Sequence, residues 1–503
     1  MKKIVVLLTV CAASAAAYAQ KLPDPRPFAK TITAEDLKKH LFIVASADFE
    51  GRETATEGQR KAAAYIENQF RSLGLKPGNG DSYQLQYPVY QDSLEGASLS
   101  VNDKAFSFNQ DFFVPVSDYT SEMGAGEVVF AGFGVSDSTR DDYKGLNVRG
   151  KIVLVLGGNP PGMQMPTGRA ARRFFFAKQE AAQKNGAAAI LILQNTPPRG
   201  RDPKGNMSMT EYPRTILPNT FYITDAVAKA IAGDDFAAVQ NASALGKAYA
   251  AGLKLGVKKT SLHLQSSDVL GFLEGTDLKD QILVISAHYD HLGKRGDVIY
   301  YGADDDGSGT VSVLELAEAF AKAKAAGKGP RRSILFLANS GEEKGLFGSQ
   351  YYSEHPTYPL DKTTADLNID MIGRIDPNRK VGDSTNYVYV VGSDKLSTEL
   401  KPISEGNNKK YSKLELDYKF DDPTDPEMIY YRSDHFNFAR KGVPIIFYFD
   451  GIHKDYHQPS DTPDKINYDI MEKRARFVFY TAWEMADRNE MMKRDIALPN
   501  LSR

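Results

Sequence analysis

The chain of 503 residues has one cysteine, Cys11, and no excess of charge: 62 Lys and Arg stand against 64 Asp and Glu, a net charge of −2. One thiol excludes an intrachain disulfide and a multi-cysteine zinc site. Balanced charge excludes the basic stripe that nucleic acid or an anionic membrane surface requires, so no nucleic-acid partner is expected. No stretch reaches the 18 or so continuous apolar residues of a membrane span. Neither a Gly-x-Ser-x-Gly elbow nor a phosphate loop is present, which argues against a serine hydrolase and an NTPase. Any metal site must be assembled from His, Asp and Glu.

What is present starts with a leader pattern. Lys2 and Lys3 precede the apolar run Ile4 to Val10, and Ala17-Tyr18-Ala19 offers small-x-small cleavage, so residues 1–19 are expected to be a signal peptide. Export to a periplasm or the extracellular space follows. Cys11 lies inside that leader, and Thr9-Val10 before it is a poor lipidation context.

About 500 residues exceed what one core organises, so at least two domains are expected. Residues 20–110 read as the first part of the main domain: Thr33 caps one helix, Thr54 to Leu75 forms another, and Phe49-Glu50-Gly51-Arg52-Glu53 lies between. Residues 111–256 read as a small β-rich insert with one or two helices; within it Arg169, Arg172 and Arg173 mark a solvated helix entry. Over 257–490 apolar strands (281–287, 333–337, 367–370, 387–391, 444–449) alternate with helices (309–326, 469–486), and 491–503 is a tail. This alternation predicts an α/β domain with a largely parallel sheet and a site at the strand carboxyl ends.

The chemistry sits at those ends. In Ala287-His288-Tyr289-Asp290 the histidine and aspartate share a strand face, so His288 can bind metal while Asp290 orients its ring. Gly302-Ala303-Asp304-Asp305-Asp306-Gly307-Ser308-Gly309 leads into a helix; read as an EF-hand it would put Val313 where the bidentate Glu belongs, so that reading fails. Glu342-Glu343 follows a buried strand, where one carboxylate can bind metal while its neighbour acts as general base. Asp370 ends a strand, and His457 follows another after a loop. Five candidate ligands, His288, Asp305, Glu343, Asp370 and His457, thus gather beyond strand ends. Nitrogen and oxygen donors without sulfur suit a hydrolytic zinc centre, and a shared aspartate suits two ions.

With these motifs, together with Tyr456-His457-Gln458-Pro459-Ser460-Asp461-Thr462, the sequence resembles the co-catalytic zinc aminopeptidases, family 28 of the metallopeptidases, in the version with an inserted protease-associated domain. Asp142 to Leu154 is similar to part of that insert. The resemblance implies a zinc-exopeptidase domain, two Zn2+ ions and peptide substrates. It also implies that His288 and Asp370 hold one zinc, Glu343 and His457 the other, and that Asp305 bridges them. Glu342 would be the general base, Asp290 the buttress of His288, and Tyr456 a donor to the oxyanion; His291 and His435 are left with roles in supporting the ligands or the structure rather than in ligation. Rival readings are a carboxypeptidase of glutamate-carboxypeptidase type, for which Arg374 or Arg432 would bind a terminal carboxylate, a one-zinc glutaminyl cyclase, or an inactive binding homologue.

Overall fold

The computed structural model describes residues 23–163, 169–196, 203–212 and 215–498. The expected leader, Cys11 and the side chains of Arg169, Arg172 and Arg173 lie outside what is described. The chain divides into two compact units, Met1–Tyr87 with Ser266–Arg503, and Pro88–Gln265. The limits expected from sequence, 111 and 256, lie inside the second unit. The strands Gln84–Val101 and Ala248–Leu273 each run through a junction, so the strand-like pattern continues across it without a break.

The first unit is α/β. Its strands are β1 (Ala248–Leu273, through its last residues), β2 (Leu278–His288), β3 (Arg332–Asn339), β4 (Thr363–Ile369), β5 (Tyr387–Val391), β6 (Glu415–Asp417) and β7 (Ile445–Phe449), in the order β6-β5-β7-β4-β2-β3-β1. β2 lies parallel to β3 and β4, β4 to β7 and β5 to β6, while β1 runs antiparallel to β3 and β5 antiparallel to β7. Ile282 to Ala287 and every residue of β3, β4 and β7 are buried, which explains their continuous apolar runs: both faces are covered. The covering helices include α1 (Ala34–Val44), α2 (Glu57–Ser72), α3 (Gly309–Ala325) and α4 (Tyr468–Asp487). Thr33 caps α1 by accepting from the Asp36 N–H at 3.1 Å. Phe320 of α3 stacks on Trp483 of α4 with centroids 5.7 Å apart.

The second unit has a smaller sheet in which Ser121–Phe130, Ile152–Leu156, Ala189–Leu193 and Asn219–Ile223 pair in that order, all parallel. The last three strands are wholly buried, and Arg169–Lys184 and Asp225–Ala232 are helices of this unit.

A buried polar cluster ties α1, α2 and α3. Nδ1 of His40 lies 2.6 Å from the Tyr65 hydroxyl and Nε2 lies 3.5 Å from Oε1 of Glu315, whose side chain is 1% exposed. Burial, helped by Glu318 and Asp36, pushes Glu315 from 4.5 up to about 8, and burial pushes His40 down, so the contact joins neutral groups near pH 7. A folded-state value above the unfolded one confers stability that is full below about 4.5 and is lost as pH rises to about 8. Glu315→Gln stays neutral throughout, so its melting temperature should gain on the wild type between pH 5 and pH 8. A constant difference across that range would contradict a neutral Glu315.

Candidate metal centre

Every candidate ligand lies where a strand of the first unit ends. His288 is the last residue of β2, Asp370 follows β4, and Glu342 and Glu343 lie in a short 3-10 turn after β3. Asp305 sits in the loop between β2 and α3, and His457 in the loop after β7. Parallel strands deliver all their carboxyl ends to one edge, which is how residues up to 169 positions apart converge. Nε2 of His288 lies 3.3 Å from Oδ1 of Asp305, 3.6 Å from Oδ1 of Asp370 and 3.9 Å from Oε2 of Glu342. Nε2 of His457 lies 3.0 Å from Oδ2 of Asp305 and 3.2 Å from Oε2 of Glu343. Asp305 therefore turns one oxygen to each imidazole.

Two further buried groups come within ligating range: Asp306 beside His288 and Asp370, and His291 beside Asp305 and Glu343. Asp306 is otherwise occupied, accepting backbone N–H groups of His288, Gly309 and Met371 at 3.2, 2.8 and 3.0 Å. Nδ1 of His291 lies 2.8 Å from Oε1 of Glu343 but 3.9 Å from Asp305, so it meets the Glu343 oxygen that His457 leaves alone. That placement fits an orienting role for His291.

The loops are braced from behind. Asp290 differs from its expected role in detail: Nδ1 of His288 meets the Asp290 carbonyl at 3.1 Å, while the carboxylate lies 3.6 Å away. The carboxylate accepts instead the Glu342 N–H at 3.1 Å and the Thr54 hydroxyl at 2.6 Å. Asp290 thus joins the His288 strand to the Glu342 turn. Gly341 enters that turn at φ 72°, and a Cβ there would lie 2.8 Å from Phe347 and from the Tyr87 hydroxyl. Asp461 accepts the N–H groups of Asp304 and Asp305 at 3.0 and 3.2 Å, and Asp304 in turn accepts from the Gly373 N–H at 2.8 Å and faces His453 Nε2 at 3.1 Å. One carboxylate pair thereby links the loops that carry Asp305, Asp370 and His457. Arg52, fully buried, donates to the carbonyls of Tyr289, Val44, Tyr301 and Gly302.

The charge balance calls for a cation. Burial opposes ionisation of Asp305, yet the neighbouring imidazoles of His288, His457 and His291 outweigh it and hold the carboxyl low. The same carboxylates, against the cost of burial, push His457 up to about 10 and His288 upward. Burial raises Glu342, with Glu343 and Asp370 adding to the effect. Four carboxylates thus converge on two imidazoles, and buried atoms His288 Nε2, Asp305 Oδ2 and Glu343 Oε1 have no hydrogen-bond partner. A divalent cation satisfies these donors and this charge better than protons do, so the residues fit zinc.

Beside the carboxylates opens a pocket walled by Met371, Ile429, Phe447, Phe449 and Ile452, with Arg432 and Tyr456 on its lining. Tyr456 stacks on the His457 ring, centroids 3.8 Å apart. Arg374 is turned away, its Nη2 bonded to Asp455 at 2.9 Å. Sequence reasoning gave no role to Arg52, Asp461 or Asp434, the last a buried carboxyl raised to about 7 by burial although His288 opposes the shift. Asp461 stood within a motif already singled out; Arg52 and Asp434 carried no local pattern.

Residues 268–482 match the model of peptidase family M28 and residues 124–231 that of the PA domain. A probable leucine aminopeptidase of Trichophyton verrucosum is 29% identical over 214 residues, 41% of this chain and 55% of the relative. A probable zinc metalloprotease of Pyrenophora tritici-repentis is 26% identical over 255 residues, 44% of this chain and 51% of the relative. The chain spans about half the length of these curated relatives. Among solved structures, an aminopeptidase from Aneurinibacillus sp. strain AM-1 aligns with a TM-score of 0.56 at 21% identity, over 95% of this chain and 99% of that one. BSAP, a zinc aminopeptidase from Bacillus subtilis, aligns with a TM-score of 0.53 at 19% identity, over 95% and 100%. At such identities the likeness is one of fold.

Proposed function

Since residues 268–482 are a peptidase family M28 domain and residues 124–231 a PA domain, we propose that the protein is an exported zinc aminopeptidase that removes N-terminal residues from peptides using two zinc ions. His288 and Asp370 would hold one ion and Glu343 and His457 the other, with Asp305 shared between them. The observation that carries this reading is the opposed orientation of the two Asp305 oxygens, 3.3 Å from one imidazole and 3.0 Å from the other. The names of the relatives, leucine aminopeptidase and zinc metalloprotease, support it. Export rests on the leader pattern of residues 1–19.

Bound zinc would supply Lewis acidity toward water and the scissile carbonyl. Glu342 takes the proton of the attacking water and returns it to the departing amine; burial pushes its carboxyl up, which makes it a better acceptor than an exposed glutamate. Asp290 fixes the Glu342 backbone. Tyr456 donates its hydroxyl hydrogen to the oxyanion. The apolar pocket takes the side chain of the residue to be removed, and the carboxylates around the metals receive its α-ammonium group. The carboxypeptidase reading loses one of its two arginines, because Arg374 is committed to Asp455.

One short peptide in three forms, free, N-acetylated and C-amidated, tests the assignment. Metal-dependent cleavage that acetylation abolishes and amidation spares is expected. Loss on amidation alone would move the activity to a carboxypeptidase.

A further inference from the structure

Arg432 enters the pocket next to the metal-facing carboxylates, yet among the described residues no carboxylate lies within ion-pair distance of it. Its Nη2 donates instead to the Tyr456 hydroxyl at 2.9 Å, and its guanidinium carbon lies 5.7 Å from the centre of the Tyr456 ring. Tyr456 in turn lies flat on His457, with 22° between the ring planes. The order Arg432, Tyr456, His457 makes a stack that runs from the pocket lining to the metal centre.

A phenol has one hydrogen to give and two acceptor positions. Left alone beside Asp305, Glu343 and Glu342, whose negative charges act on it, the Tyr456 hydroxyl would turn its hydrogen to a carboxylate. A guanidinium has no acceptor, so a hydroxyl bonded to it must accept there and direct its own hydrogen elsewhere. Charge assistance also polarises the O–H bond and strengthens the hydrogen it offers.

We infer that Arg432 is a positioning residue, which by donating to the Tyr456 hydroxyl commits that phenol to giving its hydrogen to the oxyanion formed from the scissile carbonyl. The inference rests on the oxyanion role proposed for Tyr456. Arg432 acts through Tyr456 and contributes little to ground-state binding, so its effect belongs in kcat and in transition-state affinity.

The test uses the zinc-loaded full chain and the variants Tyr456→Phe, Arg432→Ala, Arg432→Lys and the double Arg432→Ala/Tyr456→Phe, with a leucyl and a glutamyl peptide. Loss of one oxyanion donor costs about 10²–10³ in kcat, so Tyr456→Phe should fall in that range. Arg432→Ala should lose about tenfold in kcat with KM within about twofold, Arg432→Lys less, and the double variant no more than Tyr456→Phe alone. The inhibition constant of a phosphonate analogue of leucine should rise in step with the loss of kcat, while that of leucine itself stays fixed. Zinc content and melting temperature establish that each variant is folded and loaded, and Arg432→Lys carries the test if the alanine variant is not. Wild-type kcat in both Arg432 variants beside an impaired Tyr456→Phe, or losses that add in the double variant, would overturn the inference alone. A rise in KM confined to the glutamyl peptide would also overturn it, by making Arg432 a reader of acidic side chains. Wild-type kcat in Tyr456→Phe would remove the oxyanion role and the inference together.

Discussion

Replacing Glu342 with Gln should leave zinc content unchanged and lower kcat by ~10²–10⁴, the usual worth of a positioned general base. Glutamine keeps the size of the side chain and its backbone N–H bond to Asp290, but it cannot take a proton. The two adjacent glutamates are separated by their surroundings. Glu343 has an imidazole against each oxygen, at 2.8 and 3.2 Å, whereas Glu342 comes no nearer to His288 than 3.9 Å and lines the pocket. Glu343, set between two imidazoles, is placed as a ligand, and Glu342, open to the pocket, as a base. Rapid turnover by the Gln variant would refute the assignment, and loss of zinc would make Glu342 a ligand. Glu343→Gln should show the reverse pattern, with metal lost first.

Asp305→Ala should weaken zinc at both positions. Losing a group that merely orients a ligand costs about 10–100-fold in metal affinity, and removing a ligand common to two ions should exceed that at each. The loop itself should persist, because Asp461 holds the backbone N–H groups of Asp304 and Asp305, and Asp306 bonds three others. The variant is therefore expected to melt as a folded protein while binding little zinc. Retention of one ion at wild-type affinity would mean that Asp305 serves a single metal.

The convergence of the five proposed ligand positions was legible because a parallel sheet converts sequence order into spatial proximity. His288, Glu343 and Asp370 close or closely follow apolar runs, and a run buried on both faces has no alternation to obscure its end. His288 to Asp290 illustrates the limit of that reasoning. Strand periodicity puts the two on one face, but the chain leaves the sheet at His288, and the Asp290 carbonyl rather than its carboxylate meets the ring. His291 stood within a motif already singled out, but its partner was not legible, since the contact with Glu343 depends on how two distant loops cross. Arg52 lies about 240 residues from most of the carbonyls it ties, and such a bond leaves no local trace. The unit junctions at Pro88 and Ser266 escaped for a related reason: a strand passes through each, with no turn to mark it.

The pairing of metals at Asp305 is the claim on which ligand set, base and oxyanion donor all depend. It is tested most directly by titrating the metal-free full chain with zinc and counting the ions bound by native mass spectrometry. Two zinc ions per chain, both lost in Asp305→Ala, is the predicted result; saturation at one ion per chain would contradict it.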